Sequence, residues 1–79
     1  MLRIRNLKRR SEYEYECEYQ PENRGDWGFV TYNFETRILD VIRLASDDPE
    51  DSLFHKKHIP GAIEKALRIG KTEALLMWY

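Results

Sequence analysis

Residues 12–19 alternate strictly between two kinds of side chain, and no other stretch limits the fold as strongly. Every even position is a glutamate, and the odd positions are tyrosines except for the single cysteine, Cys17. Successive side chains of an extended strand point to opposite faces of a sheet, whereas a helix would scatter the glutamates around its axis. The pattern therefore predicts a half-buried β-strand with its tyrosine face in the core and its glutamate face in water.

The first ten residues are basic, and two interpretations of them compete. Arginines or lysines stand at positions 3, 5, 8, 9 and 10. A mobile basic arm would bind phosphate groups. Alternatively, residues 2–7 form a strand that pairs antiparallel with residues 12–19, and residues 8–11 form the loop. Because a row of unpaired glutamates would repel itself, we favour the hairpin, which places arginines beside that row.

The hairpin has a definite expected register, in which apolar side chains meet on one face and opposite charges meet on the other. The expected partners are Leu2 with Cys17, Arg3 with Glu16, Ile4 with Tyr15 and Arg5 with Glu14. Each cross-strand pair of this kind contributes roughly 0.2 to 1 kcal/mol to stability. This register therefore explains both the arginines and the glutamates without any ligand.

A turn and a strongly apolar stretch follow the acidic strand. Pro21, Asn23 and Gly25 predict a reversal of the chain within residues 20–26. Residues 27–34 are aromatic, β-branched or small at nearly every position. A strand that is apolar on both sides is typical of the interior of a sheet rather than its edge.

A second reversal is predicted at residues 33–36, before another β-rich stretch at residues 37–45. In that stretch the polar residues Asp40 and Arg43 break strict alternation. A β-bulge between them would return both to a single wet face. The first 45 residues therefore predict an antiparallel meander of three to four strands.

One regular helix is predicted near residues 59–69, where apolar side chains fall on one arc of a helical projection. Pro60 suits its first turn, and Gly70 suits a C-terminal cap. Residues 53–58 are expected to form a separate turn whose Phe54 covers the sheet. The helix is expected to pack on one face of the meander.

The last six residues, 74–79, are mostly large and apolar. Such a segment is an aggregation hazard when exposed, so we expect it to be buried. Thr72 is a possible cap for a second helix, but a C-terminal strand lying parallel beside one edge of the meander is favoured. The predicted class is α+β: an antiparallel meander, one helix packed on it and a C-terminal strand completing the sheet.

Length and cysteine content limit the class of protein. With 79 residues the chain is expected to form a single domain over residues 1–79. One cysteine cannot form an intramolecular disulfide, and proteins of a reducing compartment usually lack disulfides. The sequence has no apolar run of signal-peptide or membrane-span length. We therefore expect a cytoplasmic protein that does not bind membranes.

Two stretches carry metal-ligating residue types without the spacing of a known site. Residues 46–52 are acidic, but they lack the glycine and the terminal glutamate of a calcium-binding EF-hand loop. His55 and His58 would share a helix face, but no CxxC or HExxH pattern accompanies them. We therefore expect no metal site and no other cofactor.

Catalytic residue types are present, but not in catalytic arrangements. Cys17 falls on the apolar face, where a thiol is usually inert packing. The glutamates of residues 12–19 are solvated alike, so nothing separates their pKa values into an acid and a base. The serines fall in predicted turns, and the 4 glycines stand singly. We therefore expect a protein that is not an enzyme and has no catalytic residue or small-molecule substrate.

Nucleic-acid binding is the second hypothesis. Aromatic side chains exposed on a sheet stack unpaired bases, and five of them could share a face with the arginines. They are Tyr13, Tyr15, Tyr19, Trp27 and Phe29. The net charge of -1 and the glutamate row oppose this interpretation, because nucleic-acid binders usually present a basic face. The ligand would be a single-stranded nucleic acid, namely RNA, bound through the basic N-terminal segment and the aromatic side chains of the sheet.

Protein interaction is the leading hypothesis. One helix covers only part of a four- or five-stranded sheet, so the remainder is polar or is buried by a partner. Several large apolar residues compete for cover: Val30, Tyr32, Phe34, Ile38, Ile42, Trp78 and Tyr79. We expect docking onto another protein or a homodimer, through a sheet edge or an uncovered apolar face. The residues predicted to bind are Arg3, Arg5, Arg9, Arg10, Tyr13, Tyr15 and Tyr32.

Overall fold

The computed structural model describes residues 1–22, 25–46 and 56–77. They form a five-stranded antiparallel sheet with one helix packed against it. The elements are β1 (Leu2–Arg9), β2 (Glu14–Pro21), β3 (Gly28–Asn33), β4 (Ile38–Arg43), a 3-10 turn (Lys56–His58), α1 (Ile59–Ile69) and β5 (Ala74–Leu76). The order of strands across the sheet is β4-β3-β2-β1-β5. The predicted α+β class, the meander and the C-terminal strand are confirmed.

One face of the sheet packs against α1 to form the core, as the alternation in β2 predicts. Cys17 and Tyr19 on that face are fully buried, whereas Glu16 and Glu18 on the other face are half-buried. The helix contributes four fully buried side chains: Ile59, Ala62, Ile63 and Ala66. The hydroxyl of Tyr19 accepts a hydrogen bond of 3.1 Å from the backbone N–H of Ala45. A polar group is therefore satisfied within the core.

The β1–β2 hairpin is confirmed, but its expected register is wrong. Leu2 lies opposite Pro21 rather than Cys17, and Arg5 lies opposite Glu18. Each pair is shifted by 4 residues from the expected register (21 − 17 = 4). β1 also extends to Arg9, so that Lys8 and Arg9, which were expected in the loop at residues 8–11, belong to the strand. Because the shift is even, every side chain keeps its expected face.

A β-bulge in β1, between Arg5 and Lys8, interrupts the pairing of β1 with β2. Asn6 adopts a left-handed backbone conformation with φ 56°, which asparagine tolerates better than most residues. The extra residue returns Leu7 to the core face, where it is buried, and places Lys8 opposite Glu16. The bulge therefore reconciles the spacing of apolar residues in β1 with a continuous buried face.

The bulge predicted in β4 is confirmed. Phe29 lies opposite Arg43 while its neighbour Val30 lies opposite Val41, so the extra residue is Ile42. Arg43 consequently shares the glutamate face with Asp40. β3 lies between β2 and β4, as its apolar composition predicts.

The ends of α1 are those that the sequence predicts. Pro60 lies in the first turn, and Gly70 caps the C-terminus in a left-handed conformation with φ 71°. Leu67 and Ile69, at the margin of the predicted apolar arc, are exposed. The predicted position of Phe54 lies outside the described residues.

The C-terminal strand lies beside one edge of the meander as expected, but its expected parallel orientation is wrong. β5 lies antiparallel to β1, with Leu2 opposite Leu76, rather than parallel beside its neighbour. It still runs in the direction of β4, as a helical crossover requires, but it crosses to the far edge of the sheet. Ala74 and Leu76 are partly buried, whereas Leu75 and Met77 are exposed. The expectation of a buried tail therefore fails for these two side chains, and Trp78 and Tyr79 lie outside the described residues.

Candidate interaction surfaces

The glutamate face carries a network of ion pairs centred on Glu18. Arg5 donates to both carboxylate oxygens, at 3.2 and 3.4 Å, and Asn6 donates a further hydrogen bond. The guanidinium of Arg43 lies 3.9 Å from the same carboxylate. The guanidinium of Arg5 also lies 3.9 Å from the ring centroid of Trp27, within cation–π distance. The charge of Glu18 is thus neutralised by this chain's own arginines.

The network sets the ionisation of Glu18. The hydrogen bond from Arg5, together with that from Asn6 and the charge of Arg43, lowers the pKa of Glu18 against the opposing effect of desolvation. A carboxylate with a lowered pKa stabilises the fold above its unfolded-state pKa of about 4.3. That contribution disappears as the pH falls through the lowered folded-state value.

Substituting Glu18→Gln is expected to reduce the free energy of unfolding at pH 7 by no more than about 1 kcal/mol, because the pairs are near the surface. The difference between wild type and variant is expected to shrink as the pH falls below about 4, where the wild-type carboxylate becomes protonated. Urea denaturation from pH 7 to pH 2.5 measures it. Glu35→Gln, at an exposed turn residue, is the control. A pH-independent difference would contradict this account of Glu18.

The predicted binding arginines lie in or beside β1 rather than on a mobile arm. Nε of Arg10 lies 4.0 Å from Oε1 of Glu14 and 3.9 Å from Oε1 of Glu16. Arg9 donates hydrogen bonds to the backbone carbonyl oxygens of Ser11 and Glu12, at 3.0 and 3.4 Å. Arg3 lies on the glutamate face and is exposed. Charges predicted to contact phosphate are thus placed beside carboxylates and carbonyls.

The expectation that the aromatic side chains share one face with the arginines is wrong. Tyr15 and Tyr19 lie on the helix side of β2, whereas Phe29 lies opposite Glu18 on the other side. Trp27 also belongs to the glutamate side, where it contacts Arg5. Alternation along each strand separates the two sets of rings. The sheet therefore presents no single aromatic platform of the predicted composition.

Two further predicted residues lie in the core. Tyr32, which was predicted to bind a partner, is only 8% exposed and packs edge-to-face on Phe34 at 4.9 Å between ring centroids. Cys17 is fully buried, and burial, assisted by the charges of Glu18 and Glu16, raises its pKa to about 12. A thiol in this state is a poor nucleophile.

No group of three or more metal-ligating side chains occurs within residues 1–22, 25–46 and 56–77. His58 lies in the 3-10 turn, whereas His55 and most of the acidic stretch 46–52 fall outside these ranges. In the same described part of the chain, no helix has the length and apolar character needed to cross a membrane.

The first candidate interaction surface is the outer edge of β4. Among the described strands, β4 has a neighbour on one side only, and its backbone donors and acceptors on the other side face outward. Ile38 and Ile42 on this strand are 54% and 63% exposed. Leu39 and Val41 between them are half-buried. An apolar edge of this kind is a template for another strand.

The second candidate surface is a groove between α1 and the end of the sheet where β2 begins and β3 ends. We term it the aromatic groove. It is lined by Glu12, Tyr13, Tyr15, Phe34, Glu64 and Leu67. The structure thus brings together two predicted binding residues, Tyr13 and Tyr15, with a leucine from the helix. Sequence reasoning did not identify the groove, because its walls meet only after the helix packs on the sheet.

Comparison with known proteins found no matching protein-family model, no matching curated protein and no matching solved structure.

Proposed function

We propose that the protein is a small, non-enzymatic interaction domain that associates with a second copy of itself through the outer edge of β4. The observation that carries this proposal is the exposure of Ile38 and Ile42 on a strand that has a neighbour on one side only among the described strands. Pairing along that edge satisfies outward-facing backbone groups and removes apolar surface of Ile42 from water. Protein docking was also the leading hypothesis from the sequence.

The opposite edge of the sheet is less suited to the same role. β5 contains 3 residues, compared with 6 in β4, so it offers a shorter row of backbone groups. The side chain of Lys65 also donates a 2.7 Å hydrogen bond to the carbonyl oxygen of Leu75 in β5. A partner strand at that edge would compete with this bond.

The charges of β4 support a second copy as the partner. Asp40 and Arg43 lie on the same face of the sheet, because they are opposite Thr31 and Phe29 respectively. A two-fold axis between Val41 and Ile42 places Asp40 of one copy opposite Arg43 of the other, twice in each dimer. Isologous interfaces require this kind of self-complementarity.

The expected dimer is weak. A bulge at Ile42 bends the strand, and bulges are among the features that limit pairing at natural sheet edges. This axis pairs only residues 40–43 of each β4 strand, so the interface is also smaller than that of stable complexes. We therefore expect a dissociation constant above about 1 μM and a mass that depends on protein concentration.

Substituting Ile42→Lys is expected to give a folded monomer at concentrations where the wild type dimerises, because a charge would be buried against the partner strand. Ile69→Lys is the matched control, since Ile69 is 49% exposed at the end of α1 and does not belong to the sheet. Light scattering over a concentration series measures the mass. Circular dichroism checks that both variants remain folded.

Two results would overturn the proposal. One is a wild-type mass that stays monomeric up to millimolar concentration. The other is a monomer that carries salt-releasable material absorbing at 260 nm, which would favour single-stranded nucleic acid as the ligand. Recording absorbance at 260 and 280 nm on protein purified without nuclease distinguishes these two results.

A further inference from the structure

We propose that the aromatic groove binds a segment of another protein that presents an arginine or lysine beside an apolar residue. This inference is independent of the β4 edge, because the groove lies on the helix side of the sheet and uses different residues. It rests on the exposure of the groove's apolar residues and on the charge at its rim.

The groove presents apolar surface that the described residues leave exposed. Tyr13 is 44% exposed and Leu67 is 42% exposed, and each lies at one wall of the groove. Tyr15 and Phe34 form its floor, with ring centroids 5.7 Å apart and ring planes at 84°. Rings packed edge-to-face are already ordered, so a ligand that contacts them does not have to immobilise them.

The rim of the groove is acidic. Glu12 and Glu64 are both exposed, and no salt bridge joins either of them to another residue in the described part of the chain. Arg9, which shares this face of the sheet, is directed toward the carbonyl oxygens of Ser11 and Glu12. The groove therefore combines two carboxylates with the electron-rich faces of aromatic rings.

A cationic side chain with an aliphatic stem fits both features. The stem of arginine or lysine packs on aromatic rings, and its charged end reaches a carboxylate at the rim. The groove volume of about 300 Å³ lies at the lower end of ligand pockets. That volume suits one such side chain and an apolar neighbour. An acidic segment would place like charges together and be rejected.

The test starts with selection from a library of random dodecapeptides displayed on phage, with the intact domain as bait. Enriched sequences are expected to contain an arginine or lysine next to an apolar residue. One enriched peptide is then synthesised with a fluorescent label, and its dissociation constant is measured by anisotropy. The affinity is expected to fall between 50 and 300 mM NaCl, because exposed charges are screened.

Three variants identify the site of binding. Glu12→Gln combined with Glu64→Gln is expected to weaken the peptide about three- to tenfold, since it removes two exposed charge pairs. Leu67→Ala is expected to weaken it by at least a similar factor. Glu35→Gln combined with Glu73→Gln, at exposed carboxylates outside the groove, is the matched control.

Three results would overturn the inference: enrichment of acidic peptides, no enrichment above an empty bait, or equal affinities in the groove and control variants. Loss of the wild-type dimer in the Glu12→Gln and Glu64→Gln variant would also overturn it, because a second copy would then occupy the groove. Ile42→Lys separates the two proposals, since it is expected to abolish the dimer and leave peptide affinity unchanged.

Discussion

Gly28→Ala is expected to lower the free energy of unfolding by about 3 kcal/mol, although it adds a single methyl group. A Cβ atom at this position would overlap Cε1 of Tyr19, and it would lie 2.6 Å from the backbone nitrogen of Ala45 and 2.7 Å from the carbonyl oxygen of Arg43. Two of these three neighbours are backbone atoms, which cannot move without displacing the strand. Equilibrium unfolding in urea measures the loss.

Gly61→Ala is the matched control for the same methyl group. Gly61 is exposed within α1, and its added Cβ atom would meet only the side chain of Leu76, at 3.9 Å. Alanine is favoured over glycine inside a helix, so this variant is expected to be more stable by roughly 0.5 to 1 kcal/mol. Equal stability of the two variants would show that Tyr19 does not pack over Gly28.

Gly28 matters because Tyr19 lies opposite it and its ring extends across to Ala45. The side chain of Tyr19 is fully buried, and its ring occupies the space that a side chain at position 28 would fill. Its hydroxyl accepts the hydrogen bond from the backbone N–H of Ala45. The sequence identified Tyr19 as a core residue through the alternation of residues 12–19. It contained no sign that a glycine would be required opposite that ring.

The error in the hairpin register has a physical cause in the same alternation. Glutamates and tyrosines repeat every second residue, so a slip of four residues leaves both faces chemically similar. Pairing energies from side-chain type therefore cannot distinguish Glu14 from Glu18 as the partner of Arg5. The spacing of Leu2, Ile4 and Leu7, two residues and then three, was an available indication of the bulge at Asn6.

The place of β5 was harder to predict than its existence. A helical crossover determines the direction in which the strand runs, and β5 does run in the direction of β4. The choice of edge depends on where α1 packs, and the helix contacts β1 and β5. Local sequence patterns carry no information on that docking.

The candidate interaction surfaces, like the arrangement of the strands, were predicted only in part. Tyr13 and Tyr15 were selected as binding residues from their strand alone, and both line the aromatic groove. The opposite wall is supplied by Leu67, which the helical projection placed on the buried arc. Leu67 is exposed because α1 packs on β1 and β5. The margin of the helix's apolar arc then faces the groove instead of the core.

Ile63→Ala is expected to lower the free energy of unfolding by about 2 to 5 kcal/mol, because it leaves a cavity between α1 and the sheet. The side chain of Ile63 is 0% exposed and belongs to the hydrophobic core cluster. Each kcal/mol lowers the melting temperature of a domain of this size by roughly 4 to 8 °C. Thermal unfolding monitored by circular dichroism is expected to show a decrease of about 10 °C or more.

Leu67→Ala, on the same helix, is the control that separates core from groove. Its side chain is 42% exposed, so the change in stability is expected to stay within about 0.5 kcal/mol. A loss as large as that of Ile63→Ala would mean that Leu67 belongs to the core, and the aromatic groove would lose one of its walls. An unchanged melting temperature with weakened peptide binding would assign Leu67 to recognition rather than to folding.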